Sequence, residues 1–431
     1  MQLSRSGASV RSIASRVSLG GVACALVSAA TFFLGERAAL AQAVDFSTAH
    51  TLYHEAPTGS NMTVYTPSVD LAARPASWID VRGGYEADIV SGASVAVKAG
   101  PAYQASNPGA DVVTSASVKD VRHRGQWGLS LRKGDVQWNG GFSYSTENDY
   151  KSRTLSTGIR TDAYEHNTQF ELSYARSFDS VCDRVQSTSD SFGRFRALEN
   201  SNGCFTSDPL RRLRGLDVDG LQGSWTQAWT PVFSTQVVYS AQILNGFQSN
   251  PYRSVVLGQG IKAEEHHPED RARHAVAARA NLYLKPLKTA LRFGVRGYID
   301  SWDVKSTTGE LEAERYFGEA FRVALRGRFY LQSRALFWSD DYTGGDPPLG
   351  PKGQYFSGDR ELSHFLSYMV GARIAYGKER KEERLLGFLH AFRVGGAFDV
   401  VHFEYFDYTL GGKPVNNARA YIGTAYATLV F

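Results

Sequence analysis

The chain has 431 residues, 42% hydrophobic and 21% charged, enough for one large domain or two ordinary ones. Its net charge of +4 comes largely from Arg5, Arg11, Arg16 and Arg37 near the amino terminus, which excludes the basic stripe of a nucleic-acid binder. A mean hydropathy of −0.30 excludes a bundle of membrane-spanning helices but not a barrel, whose strands need apolar residues only at alternate positions.

Residues 1–41 read as a signal peptide: Arg5, Arg11 and Arg16, an apolar run from Val17 to Leu34, then the small-x-small patterns Ala39-Leu40-Ala41 and Ala41-Gln42-Ala43. Glu36-Arg37 is untypical between run and cleavage site. Residues 42–431 contain no further uncharged apolar stretch of about 18 residues. They are expected to form one all-β domain, an antiparallel transmembrane barrel of the bacterial outer membrane.

Strands are expected near 46–55, 61–71, 78–89, 121–132, 136–146, 150–161, 168–177 and 214–229, and near 233–244, 272–284, 289–301, 304–316, 321–334, 363–376, 387–403 and 418–431. In 233–244, Phe233, Thr235, Val237, Tyr239, Ala241 and Ile243 share one face, while Ser234, Gln236, Ser240 and Gln242 lie on the other. Such a period of two marks a half-apolar strand. Many of these segments run longer than the five or six residues usual in soluble sheets, and long enough to cross a bilayer tilted. Sixteen is an even count, as bacterial barrels have; 14 to 18 is the range the pattern allows. Short connections (133–135, 230–232, 285–288, 318–320) largely alternate with long ones (178–213, 245–271, 335–362, 404–417), as periplasmic turns alternate with outer loops.

Cys182 and Cys204 share one long connection and are expected to form a disulfide in the oxidising envelope; without C-x-x-C spacing a redox-active pair is disfavoured. Glu264, Glu265, His266, His267, Glu269 and Asp270 read as a solvated loop, and no metal site is assigned. Further on, Arg292 and Arg296, then Glu310, Glu312 and Glu314, then Arg322, Arg326 and Arg328 occupy the polar faces of three successive strands. Opposite charges on neighbouring strands attract, so these residues are candidates both for stiffening the wall and for lining a pore. The last strand alternates through Tyr421 and Leu429 to Phe431. A terminal aromatic there resembles the signal read by the barrel-assembly machinery. No G-x-S-x-G or H-E-x-x-H motif is present, so neither an enzyme nor a cofactor is expected.

Several phrases resemble the DUF3570 family of exported bacterial proteins of unknown function. They are Asp88-Ile89-Val90-Ser91-Gly92-Ala93-Ser94, Ser145-Thr146-Glu147-Asn148-Asp149-Tyr150, Ser249-Asn250-Pro251-Tyr252-Arg253, Asp270-Arg271-Ala272-Arg273-His274, and Tyr298-Ile299-Asp300-Ser301-Trp302 leading into Ser306-Thr307-Thr308. The resemblance implies an outer-membrane barrel without assigned activity or catalytic residues. Through family members that sit beside envelope thiol-redox and flavin-attaching proteins, it also implies a periplasmic redox partner. Two functions are therefore expected to compete: a porin-like channel for small polar or charged solutes, and a non-conducting sheath or docking component of a redox assembly. A barrel enzyme ranks third.

Overall fold

The computed structural model describes residues 44–56, 62–91, 97–98, 120–184, 204–205, 211–257, 261–343, 355–379, 389–410 and 412–431; the expected signal peptide lies outside them. Sixteen antiparallel strands close into a barrel. They are β1 (Val44–Ala56), β2 (Thr63–Ala76), β3 (Ile79–Ser91), β4 (Asp120–Lys133), β5 (Val136–Thr146), β6 (Tyr150–Ala163), β7 (Thr168–Arg184) and β8 (Arg211–Thr230). The second half is β9 (Phe233–Gly246), β10 (Asp270–Leu284), β11 (Thr289–Asp300), β12 (Lys305–Phe317), β13 (Phe321–Gln332), β14 (Phe365–Glu379), β15 (Ala391–Tyr405) and β16 (Ala418–Val430). Each strand pairs with its neighbours in sequence, and β16 pairs with β1 from Asp45 opposite Val430 to Ala56 opposite Arg419. No edge is left to hydrogen-bond with anything else.

Every strand expected from alternation is present, with shifted ends. The largest differences are at the ends of β2, which runs on to Ala76, and of β7, which runs on to Arg184; β7 and β8 reach 17 and 20 residues. At about 3.3 Å per residue they outreach an apolar band about 25 Å tall, so their far ends stand above it. There Arg176, Asp217 and Asp219 form ion pairs at 3.5 and 3.7 Å on the outward face. The strand expected at 387–403 begins instead at Ala391.

The period of two becomes a division between inside and outside. Leu155, Ile159, Val276, Val295, Leu325 and Val370 are among the large apolar side chains exposed on the outer face. Trp78, Trp138, Trp229, Tyr283 and Phe317 ring the end with the short turns, where amphipathic aromatics favour a membrane–water boundary. Phenols that point toward lipid need a partner, because hydrocarbon offers none. Histidine on the adjacent strand supplies it: Tyr65 bonds His50 at 2.7 Å, Tyr85 bonds His123 at 2.7 Å, and Tyr239 bonds His274 at 2.9 Å. Among the described residues no helix is long and apolar enough to cross a membrane; the strands do so. A closed, even-stranded barrel with an apolar outer belt and an aromatic girdle satisfies its whole backbone in lipid. The protein is a barrel of the bacterial outer membrane.

Candidate functional site

Inside the barrel the charged residues singled out above meet across β11 to β15. Arg292 lies opposite Glu312 in the β11–β12 register and hydrogen-bonds it, with a second bond to Glu314 at 3.0 Å. From β14, Arg373 reaches past β13 to the same two carboxylates, 2.9 Å from each. The contact skips a strand because the face is concave and Ala324 lies between, buried to 2% exposure. Arg322 stands 3.6 Å from Glu314, and Arg328 stands 3.7 Å from Glu310.

Two expected partners do not pair. Arg326 faces Glu312 in register but turns to Asp399 on β15, donating through Nε at 2.6 Å and again through its second nitrogen. Gly371 makes this possible: a Cβ there would collide with the Asp399 carboxylate. Arg296 faces Thr308 and has no carboxylate partner among the described residues. Arg373 and Asp399 were missed as members, although alternation already placed Arg373 on the polar face of its strand. Their signal was position on that face, rather than adjacency to the charged strands. At the closure seam, Tyr421 pairs with His54 and Leu429 with Phe46, and the Phe431 backbone exchanges hydrogen bonds with Val44.

At the opposite mouth the described parts of the long connections pack on one another. Ser254–Leu257 pairs antiparallel with Ile261–Glu264 and parallel with Val97–Lys98. Isolated bridges join Leu257 to Tyr342 and His266 to Phe356. Val255, Leu257, Ala263, Tyr342 and Phe356 form one buried cluster; Trp302, Phe337, Trp338, Tyr405 and Tyr408 form a second. This cap is dry enough to bury ions, and several are matched within it. Arg360 clamps Glu55 at the top of β1 with two hydrogen bonds, one at 2.8 Å. Arg253 pairs with Asp359, and Lys98 lies 3.0 Å from Asp340. Glu265 accepts from the Ser357 hydroxyl at 3.1 Å and the Gly358 N–H at 3.0 Å.

The 264–270 segment was expected to be solvated. Glu269 and Asp270 are exposed, but Glu264, Glu265 and His267 are buried: Ser357 and Gly358 close over Glu265, and Trp302 and Phe337 pack against His267. Burial, then the Asp359 charge, push the Glu265 carboxyl upward. For Asp359 burial acts in the same direction, but Arg253 and the Glu361 N–H outweigh it and hold that carboxyl low.

Cys182 and Cys204 are bridged, their Cα atoms 5.7 Å apart. Cys182 is not in a loop, as its sequence position suggested, but in the last turn of pairing of β7, opposite Leu213. The bridge therefore ties a loop to the wall. Replacing both cysteines with serine is expected to lower the thermal midpoint of the refolded barrel, through loss of a loop closure worth about 3 kcal/mol. An unchanged midpoint would contradict that.

At the same rim Asp120, Glu147 and Asp149 bring carboxylate oxygens within 4.8 Å of one another, and Asn148 donates to Asp120 at 2.8 Å. Burial first, then Asp149 and Asp120, push the Glu147 carboxyl up to about 7. A carboxyl raised in the folded state favours its protonated form. Its contribution is thus full below its ordinary pKa and lost as pH rises through about 7. The thermal midpoint is expected to fall between about pH 4.5 and about pH 7 and to level off above that, and Glu147→Gln to flatten that step; a variant keeping the full step would contradict the assignment. Several phrases that carry the family resemblance converge on this end. Asp300, for example, accepts from Tyr298 at 2.7 Å and from the N–H groups of Trp302 and Val304.

A family model described as "Protein of unknown function (DUF3570)" matches residues 17–386. No curated protein matches the sequence. Among solved structures the chain is similar to a bacterial polysaccharide outer membrane secretin, at 7% identity over 90% of this chain and 98% of that one, TM-score 0.46. It is also similar to OccK2 (OpdF) of Pseudomonas aeruginosa, at 10% identity over 90% and 98%, TM-score 0.41. The outer membrane protein opdK of the same organism matches at 6% identity over 90% and 99%, TM-score 0.38.

Proposed function

Since the chain belongs to the DUF3570 family, whose members have no assigned activity, we propose its function from its own wall and loops: a gated, porin-like channel for small polar or charged solutes. One observation carries this reading. Charged and polar side chains on the inner face remain in contact with solvent; Arg82, Arg124, Arg279, Arg296 and Arg393 are exposed there and hold no carboxylate among the described residues. A barrel whose interior served only as packing would bury or pair them, because an unpaired ion in a dry interior is costly. Sixteen strands also enclose a lumen of channel width. The cap then acts as the outer gate, and the ion network of β11 to β15 keeps the wall rigid while leaving charge on it.

Planar-bilayer recording of the refolded chain tests this reading. Stepwise currents are expected, more frequent when the cap is loosened. Silence at every voltage, in the native chain and in a cap-loosened variant alike, would overturn it. If that silent barrel also co-purified with a periplasmic thiol-redox protein, the docking role would take its place.

A further inference from the structure

The inner wall carries a recess of about 320 Å³ toward the short-turn end, lined by Arg292, Arg322, Arg373, Arg393, Tyr426 and Thr428 and by one carboxylate, Glu314. We infer that this recess is a binding subsite for a small organic carboxylate, an inference that names the solute class of the channel proposed above and rests on that reading.

The charge balance of the recess leaves positive charge unspent. Arg292 and Arg373 are each committed to both Glu312 and Glu314, so the two carboxylates hold these two guanidinium groups in fixed positions. Arg322, at 3.6 Å from Glu314, is beyond hydrogen-bond reach. Arg393 is exposed and has no ion pair among the described residues. Four arginines against two glutamates leave an excess of two positive charges on one side of the wall. Guanidinium groups present paired donors in a fork that matches a planar carboxylate.

The shape of the recess is built by small residues. Ala324 and Ala375 form its floor where larger side chains would fill it. Gly395 lies beside the Tyr426 phenol, and a Cβ there would collide with the hydroxyl. The glycine thus lets a neutral donor lie across β15 next to Arg393. At about 30 Å³ per water the space holds roughly ten waters, room for a short dicarboxylate with part of its hydration.

Orientation comes from the neighbouring recess. Thr428 lines both cavities, and the second, about 620 Å³, carries Asp45, Asp70 and Asp80 with Arg74 and Arg82. Of its two arginines, Arg74 is paired with Asp80 at 2.8 Å. An anion at this level of the barrel is therefore drawn to one side and repelled from the other.

The test uses the refolded full-length barrel in detergent micelles with succinate as the probe, read by calorimetry, and in parallel by single-channel recording. Arg393→Ala and Arg322→Ala are each expected to weaken succinate binding by about tenfold to a hundredfold, the usual range for one charge-assisted contact. Gln242→Ala, an inner-face change on β9 away from the recess, is expected to bind as the native chain does. Inorganic phosphate is expected to compete only weakly, since it offers one anionic head to the arginines where succinate offers two. The inference is overturned if succinate fails to bind, if the arginine variants bind it unchanged, or if phosphate binds as tightly. The channel reading is scored separately: currents without succinate binding remove the subsite and keep the channel, and binding without current keeps the subsite and removes the channel.

Discussion

Arg360→Ala is expected to open the loop cap without unfolding the barrel. The Glu55 carboxylate is 2% exposed, and Arg360 supplies both of its charge-assisted hydrogen bonds from the 360–362 turn. Removing one partner of a buried ion pair costs about 3–5 kcal/mol, because the remaining charge is left unmatched. The sixteen-strand ladder does not depend on this contact, so the cost falls on the equilibrium between seated and lifted cap. It shifts that equilibrium by a factor of about a hundred or more. Limited proteolysis of 335–343 and 355–364 is expected to accelerate by that order, and bilayer recordings to show higher open probability. Arg360→Lys keeps the charge but loses the fork, and is expected to fall between. Proteolysis as slow as in the native chain would show that the clamp does not seat the cap.

Val370→Arg is expected to have the opposite profile, harming insertion and leaving the cap alone. Val370 is 69% exposed near the middle of β14, on the outer face with Tyr368 and Tyr376 toward either end. An arginine at the bilayer mid-plane on the lipid face costs about 2–4 kcal/mol. A surface change on a soluble sheet usually stays within about 0.5 kcal/mol. Urea titration of folding into lipid vesicles separates the two cases. A paired control, Gln126→Arg on the inner face of β4, is expected to fold nearly as the native chain does.

The wall of this protein was legible in its sequence because lipid enforces a local rule. Each strand must put apolar residues on every second position whatever its neighbours do, so Phe233 to Leu244 announces itself without tertiary information. That the arginines of β11 and β13 would meet the glutamates of β12 followed from the adjacency of these strands. Arg326 did not follow that logic, since its choice of Asp399 depends on a glycine one strand away. The cap was read worst. Glu264, Glu265 and His267 carry the composition of a solvated loop, and what covers them is remote in the chain: Glu265 is held by Ser357 and Gly358, about 90 positions later, and His267 packs against Trp302 and Phe337. Buried polar groups that rely on distant partners have no periodic signature, and the mouth of the barrel, where the connections gather, is built from them.

Tryptophan emission offers the most direct examination of the arrangement as a whole. Five of the seven tryptophans, Trp78, Trp127, Trp138, Trp225 and Trp229, are exposed on the outer face or its rim, while Trp302 and Trp338 are 3% exposed within the cap. In vesicles of lipid brominated on the acyl chains, most of the emission is expected to be quenched, with Trp127 at mid-strand contributing most and Trp127→Phe removing that share. Emission untouched by brominated chains but readily quenched by aqueous iodide would mean that water, not lipid, bathes the apolar face, and would contradict the membrane barrel itself.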